Sequence, residues 1–145
     1  MIKREAGFTL IEVLAVMIII GILAAIAIPA FFNQRDKASD SSAKEMAHTS
    51  QVAMEALGSD NDGSYSSASP TALSAVDKSI PTAPGSPAKP YASAASGTAK
   101  TWTFTITSPT GNSFTVAKSS TGVTYTCTVP AGNDRGGCPS SGDWG

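Results

Sequence analysis

The sequence has few charged residues. Asp, Glu, Lys and Arg make up 14% of its 145 residues, well below the roughly 25% of average soluble domains. The net charge is −1, so nothing in the composition favours strong binding to nucleic acid. Serine, threonine, alanine and glycine take the place of the charged residues, and they predict a neutral surface that is rich in hydroxyl groups.

Histidine and cysteine are scarce, which argues against common catalytic and metal sites. His48 is the only histidine and lies far upstream of both cysteines, so no Ser/His/Asp or Cys/His set is visible. The sequence has no glycine-rich loop of the phosphate-binding kind. We therefore expect neither an enzyme nor a cofactor. We expect His48 to be solvated or packed at an edge, since no cluster of metal-binding side chains accompanies it.

One long apolar run lies near the N-terminus. Residues 7–32 read GFTLIEVLAVMIIIGILAAIAIPAFF, and Glu12 is the only charged residue among them. As a helix, this run is long enough to cross a hydrocarbon core of about 30 Å. A carboxylate inside such a helix is costly, so Glu12 is a functional candidate whose partner has to be identified.

The start of this run carries a recognisable motif. The string GFTLIE at residues 7–12 follows Lys3 and Arg4 and leads into the apolar run. It closely resembles the class III signal of type IV pilins and related pseudopilins. The resemblance implies cleavage after Gly7 by a prepilin peptidase, N-methylation of Phe8, and assembly into a filament through the apolar helix.

Glu12, together with Thr9, is the candidate for setting the register of assembly. Cleavage would leave a cationic amine on Phe8, one helical turn before Glu12, and residues four apart share a helix face. In a bundle of parallel helices, the amine of an incoming subunit would instead meet Glu12 of a subunit already in place. This pairing would favour the correct axial position of the incoming subunit, because an unpaired carboxylate in lipid costs several kcal/mol or becomes protonated.

A secretory signal and a plain signal anchor each fit the N-terminus less completely. An ordinary secretory signal has an apolar region of about 7–15 residues and then a small-residue cleavage site, and this run is too long. A plain signal anchor accounts for Lys3, Arg4 and the apolar run by the positive-inside rule, but it accounts for neither Glu12 nor the GFTLIE string.

The apolar run is predicted to continue into a longer helix. Gly21 and Pro29 lie inside the run, where they either allow bending as subunits pack or cause a mild kink without a role. Given the resemblance, we favour bending. Beyond residue 32 one weakly apolar stripe continues at helical spacing; its members are Ala43, Met46, Ala47, Ser50, Met54 and Leu57. We expect Lys44, Glu45, Gln51 and Glu55 to lie around the other faces.

The helix is expected to stop at Gly58, and a loop region to follow. Asp60 and Asp62 are a weak calcium candidate, because the pattern fails the EF-hand spacing and a turn explains them as well. Prolines interrupt residues 66–100, so we expect an exposed variable loop with at most a short helix over residues 71–78. Leu73, Ile80 and Tyr91 are candidates to hold this loop on the core.

The C-terminal third predicts a small antiparallel sheet. Apolar residues alternate with threonine or serine in three segments; the inward-facing residues are Trp102, Phe104, Ile106, Phe114, Val116, Val123, Tyr125, Cys127 and Val129. The outer half of the long helix would cover this face. Outside the cytoplasm an even pair of cysteines favours a disulfide over a metal site, so we expect Cys127 to bond Cys138 and Trp144 to be exposed or docked nearby.

These observations predict an α+β fold in which a long N-terminal helix packs on a small antiparallel sheet, as in pilins. The expected segments are a leader (1–7), a transmembrane assembly helix (8–32), its amphipathic outer half (33–57), a variable loop (58–100), and the sheet with a disulfide-closed tail (101–145).

The resemblance implies a structural role as a pilus subunit in adhesion, motility or DNA uptake. The expected partners are further copies of the chain, a prepilin peptidase and N-methyltransferase, a membrane assembly platform, minor pilins and membrane lipid. The chain is expected first in the cytoplasmic membrane and then at the cell surface. A pseudopilin of a type II secretion-like system and a monomeric, signal-anchored binding domain are the alternatives.

Overall fold

The computed structural model describes residues 7–145 and has an α+β arrangement, as predicted. The elements are α1 (Leu10–Asp60), α2 (Pro70–Val76), β1 (Tyr91–Gly97), β2 (Trp102–Thr107), β3 (Ser113–Ser119) and β4 (Gly122–Thr128). The strands form one antiparallel sheet in the order β1-β2-β3-β4. The chain divides into an N-terminal unit that ends at Gln34 and a larger unit, Arg35–Gly145. The predicted leader, apart from Gly7, lies outside the described residues.

In the larger unit, α1 buries the predicted stripe against the sheet. Ala43, Ala47 and Met54 are completely buried in the common core, and Met46 is half-buried at its margin. The sheet contributes the alternate large residues Phe104, Ile106, Phe114 and Val116 to the same core. Alanine at the contact lets the helix lie close to the sheet, and the aromatic and branched side chains of the sheet add apolar area to the core.

Gly58 has a different role from the one expected. It is buried, and α1 continues past it to Asp60. A Cβ at this position would collide with Cε1 of the Tyr65 ring. The glycine is therefore needed for close packing under Tyr65, and the turn that reverses the chain comes later, at Asp62 and Gly63, which both have positive φ.

The sheet has one more strand than expected. β1, Tyr91–Gly97, lies within the segment predicted to be variable loop, and it pairs with β2 along its length, with a bulge between Ala92 and Ala94. The prediction was wrong here because alanine and serine give little apolar alternation. A strand of small residues forms where a neighbouring strand supplies the hydrogen-bond partners and most of the packing.

The loop before β1 is held to the core by two apolar residues. Leu73 of α2 and Ile80 are completely buried, as expected. Ser69 caps α2 by accepting a hydrogen bond from the Ala72 N–H at 3.1 Å, in the usual manner of an N-cap serine. Tyr91 does not join the core: it pairs with Thr107 at the other face of the sheet and is half-buried there.

Candidate assembly site

The predicted cleavage site lies in an exposed, non-helical segment. Gly7, Phe8 and Thr9 precede the first helical residue, Leu10, and all three are exposed. Within residues 7–145, no atom beyond its chain neighbours lies within 4 Å of the position that a Cβ on Gly7 would take. The peptide bond after Gly7 therefore precedes the helical hydrogen-bond ladder of α1.

Thr9 and Glu12 form a capping box at the start of α1. The backbone N–H and the hydroxyl of Thr9 each donate to Glu12 Oε2, at 2.8 and 2.7 Å. In return, the Glu12 N–H donates to Thr9 Oγ1 at 3.3 Å. The Thr9 carbonyl accepts the first helical bond, from the Val13 N–H. Reciprocal bonds of this kind satisfy donors that the first helical turn would leave unpaired.

The capping box uses only one oxygen of the carboxylate. Glu12 Oε1 has no hydrogen-bond partner among residues 7–145. We named Thr9 and Glu12 from the sequence without foreseeing this contact, although threonine followed three residues later by glutamate is its sequence signal. The helix start is thus fixed within the chain, and Glu12 keeps one oxygen for a further partner.

Exposed apolar side chains surround this carboxylate. An open groove of about 350 Å³ is lined by Phe8, Glu12, Val13, Val16 and Met17. Phe8 is 88% exposed, and Val13 remains 50% exposed. Exposed apolar surface of this extent marks a membrane or protein contact.

Among the described residues, α1 is the one helix long and apolar enough to cross a membrane. Its most apolar 18-residue window has a mean hydropathy of 2.9, and none of that window is buried within the chain. Helical structure continues without interruption through Gly21 and Pro29.

Residues 2–28 match the family model of the prokaryotic N-terminal methylation motif. The matched motif is the class III signal peptide known from type IV pilins. This pilin-type signal and the apolar helix together indicate a membrane-anchored precursor, and the motif implies processing by a prepilin peptidase. The family that carries the motif is structural rather than catalytic. No curated protein and no solved structure matches the chain.

The cysteine pair and the two calcium candidates named from the sequence lie in the larger unit. Cys127 and Cys138 form a disulfide in the larger unit, with their Cα atoms 5.9 Å apart. Asp60 is exposed at the end of α1, and Asp62 is exposed in the turn that follows. The described residues contain no group of three or more His, Cys, Asp or Glu side chains that could hold a metal ion.

A buried carboxylate that we did not predict holds the C-terminal loop on α1. Asp40 is completely buried. It accepts hydrogen bonds from the Thr110 hydroxyl at 2.6 Å, from Asn112 Nδ2 at 2.8 Å and from the Gly137 N–H at 2.8 Å. A Cβ on Gly136 would collide with the same carboxylate. The sequence holds one sign of this burial. Asp40 lies three residues before Ala43, so it continues the apolar stripe of α1 at helical spacing.

Glu55 was expected on another face of α1, but it reaches the sheet. Its carboxylate accepts from the Tyr65 hydroxyl at 2.6 Å, from Trp102 Nε1 at 3.3 Å and from Lys118 Nζ at 2.9 Å. Partial burial opposes the charge, but these hydrogen bonds outweigh it and lower the pKa of Glu55. The hydrogen bonds to Glu55 and Tyr65 raise the pKa of Lys118.

Two further polar residues expected on other faces of α1 also contact sheet and tail. Gln51 Oε1 accepts from the Tyr125 hydroxyl at 3.0 Å, and Lys44 Nζ lies 5.8 Å from the ring centre of Trp144. Trp144 is docked, because its Nε1 donates to the Thr126 carbonyl at 2.9 Å. His48 is exposed and packs at the edge of the same tryptophan ring, with ring centres 5.5 Å apart.

Proposed function

We propose that this chain is the precursor of a type IV pilin, a structural subunit that assembles into a surface filament after cleavage and N-methylation at Phe8. The observation that carries the proposal is the carboxylate at the start of an unpartnered apolar helix. Thr9 holds Glu12 Oε2, whereas Oε1 has no partner among the described residues. A free amine on the Phe8 of another subunit has the charge and the reach to complete this site.

In this proposal, the apolar side chains of α1 and the carboxylate of Glu12 contribute to assembly in different ways. Apolar side chains supply contact area in lipid and between helices, but they do not define an axial position. The charge of Glu12 defines one, because leaving it unpaired in an apolar environment costs several kcal/mol. Gly21 and Pro29 permit bending of the packed helices in this proposal, since neighbouring helices can satisfy freed carbonyls.

The proposed partners follow from this pathway. They are a prepilin peptidase and N-methyltransferase, a membrane assembly platform, minor pilins, membrane lipid before assembly, and further copies of the chain. The precursor lies in the cytoplasmic membrane, and the filament lies at the cell surface.

Shearing of cells that express the chain tests the proposal. We expect long filaments in the sheared fraction, with this chain as a stoichiometric component by mass spectrometry and electron microscopy. If the processed chain stays in the membrane and no fibre is recovered, the pilus proposal is wrong, and a pseudopilin or a monomeric anchored domain remains.

A further inference from the structure

The outer edge of β4 is covered by a short segment, residues 141–145, which we name the strap. The strap runs antiparallel to β4. The N–H of Cys127 donates to the Gly142 carbonyl at 2.7 Å. The Tyr125 carbonyl accepts from the Trp144 N–H at 3.2 Å. The strap therefore acts as a further, very short strand along this edge of the sheet.

A disulfide and a tryptophan fasten the strap. Cys138, bonded to Cys127, anchors the chain just before the strap. The ring of Trp144 packs against Tyr125, with ring centres 5.1 Å apart, and its Nε1 donates to the Thr126 carbonyl at 2.9 Å. These side chains of β4 and the strap lie at the margin of the core and not inside it. The strap can therefore detach while α1 and the sheet stay packed.

The strap satisfies only part of the β4 edge. In an antiparallel strand, the N–H and the carbonyl of one residue point to the same side. The Tyr125 N–H and the Cys127 carbonyl therefore face the strap, but neither has a backbone partner there. An open cleft of about 590 Å³ is lined by residues 123–127 of β4 and by strap residues. The edge thus keeps hydrogen-bonding groups that the strap does not use.

The composition of β4 favours pairing with another strand. Its sequence, GVTYTCT, has no charged residue and no proline, and valine, threonine and tyrosine are favourable in strands. Segments of this kind pair readily with other chains when they are exposed at an edge. Natural proteins prevent this with charges, prolines or a covering segment, and β4 has only the covering segment.

Two copies of β4 are complementary to each other. The outward backbone groups belong to Val123, Tyr125 and Cys127, which alternate along the strand. A two-fold axis at Tyr125 would place Val123 of one copy opposite Cys127 of the other, so that all of these groups find partners. In the same register Thr124 lies opposite Thr126, and threonine pairs are favourable across strands. No like charges meet.

We propose that the strap is an autoinhibitory cover, whose release lets β4 pair with β4 of a second copy of this chain. The two-fold axis of an antiparallel strand pair is perpendicular to the sheet. It therefore reverses the part of α1 that packs along the sheet. Copies whose α1 helices run in parallel cannot pair in this way, so the partner comes from a facing surface. The cover keeps such copies apart.

Clustering of vesicles tests the proposal without requiring filaments. The full-length chain is reconstituted in phosphatidylcholine vesicles, and dynamic light scattering measures the clustered fraction. Vesicles with the unmodified chain should stay separate. A released variant that combines Cys127→Ser, Cys138→Ser and Trp144→Ala should cluster them. Trp144→Ala alone keeps the disulfide and should cluster them to a smaller extent, which gives a second test in a better fastened chain.

A proline on the edge distinguishes strand pairing from other association. The N–H of Val123 faces outward, so Val123→Pro removes no bond to β3 but removes a donor for the second copy. Added to the released variant, it should lower the clustered fraction roughly tenfold. The matched control is Ser120→Pro, in the exposed turn before β4. The φ of Ser120 is not positive, so this proline should fit and leave clustering unchanged.

Cross-linking tests the register. The released variant has no cysteine, so one can be added at Thr124 or at Ser120. In the proposed pair, the two copies of residue 124 lie roughly 8 Å apart and the two copies of residue 120 roughly 30 Å apart. A short bis-maleimide should link Thr124→Cys and not Ser120→Cys. The proposal is overturned if neither released variant clusters vesicles, if Val123→Pro has no effect, or if both cysteines cross-link equally, as in unspecific aggregation.

Discussion

Glu12 contributes to the N-terminal unit in two ways. It closes the capping box with Thr9, which fixes where α1 begins, and it places a negative charge among exposed apolar side chains. The first contribution needs only a hydrogen-bond acceptor and the second needs the charge. Glutamine at the third helical position also completes a capping box, so two substitutions separate the contributions.

We expect Glu12→Ala and Glu12→Gln to accumulate as processed, membrane-inserted monomers that form few or no filaments. Both variants lack the charge that rewards the correct axial position, and Glu12→Gln keeps the cap. The measurement is the amount of sheared filament relative to membrane-bound chain. Val13→Ala trims the neighbouring apolar side chain and should still assemble. Filaments of Glu12→Gln at the level of the unmodified chain would mean that Glu12 acts as a cap and not as a charge.

The structural roles of Gly58 and Asp40 become visible only in the folded chain. Gly58 has the sequence appearance of a helix stop, yet the reason for it is the ring of Tyr65, which follows after a turn. In the sequence, Asp40 is one more polar residue after the apolar run, yet three donors from distant segments bond to it. Their partners depend on tertiary packing, so spacing alone does not predict them.

At the scale of elements, Glu55 and its partners Tyr65, Trp102 and Lys118 hold the end of the sheet on α1. The pKa of Glu55 is lowered, so its contribution to stability is present above the ordinary value of 4.5 and is lost as the pH falls through the lowered pKa. The pKa of Lys118 is raised, so its contribution is present below 10.5 and is lost as the pH rises through the raised value. The pair should therefore stabilise the fold evenly between these limits.

Lys118→Met tests this pH dependence. The side chains of Lys118 and Glu55 are 33% and 44% exposed, so solvent screening limits the loss to about 0.5–1 kcal/mol at pH 7. The difference from the unmodified chain should shrink below pH 4.5 and in high salt. Urea unfolding in detergent, followed by the fluorescence of Trp102 and Trp144, measures it. Lys100→Met, at an exposed lysine, is the control. A difference that stays constant from pH 7 to pH 3 would contradict the assignment.

The disulfide and Asp40 together hold the C-terminal loop. Cys127 and Cys138 are separated by 11 residues in sequence, and a loop of this size contributes roughly 3 kcal/mol in the chain-entropy model. We expect Cys138→Ser to lower the thermal midpoint by roughly 5–15 °C, and the double serine variant to match it. Free thiols at both positions by non-reducing mass mapping, or an unchanged midpoint, would reject this role.

The elements that the sequence predicted correctly are those with strong periodicity. The apolar run and the stripe led to α1, and the alternation of large apolar residues with threonine led to β2, β3 and β4. β1 escaped prediction because its residues, YASAASG, bury little area of their own. Its position depends on hydrogen bonds to β2, which local sequence does not encode.

At the scale of the whole molecule, the sequences of the two units are informative in different ways. The N-terminal unit has a specific motif that a family model matches at residues 2–28, and its proposed function rests on a few side chains around Glu12. The larger unit has no comparable motif. Its fold could be predicted in outline from alternation, whereas the partners of Asp40 and Glu55 depend on tertiary packing.

The central claim is that the chain is matured between Gly7 and Phe8 for assembly through its new N-terminus. Intact mass and N-terminal peptide mapping of the chain purified from membranes test it most directly. We expect a mature chain that begins with N-methylated Phe8 and retains the disulfide between Cys127 and Cys138. A membrane-bound chain that still begins at Met1, in cells with an active prepilin peptidase, would contradict it.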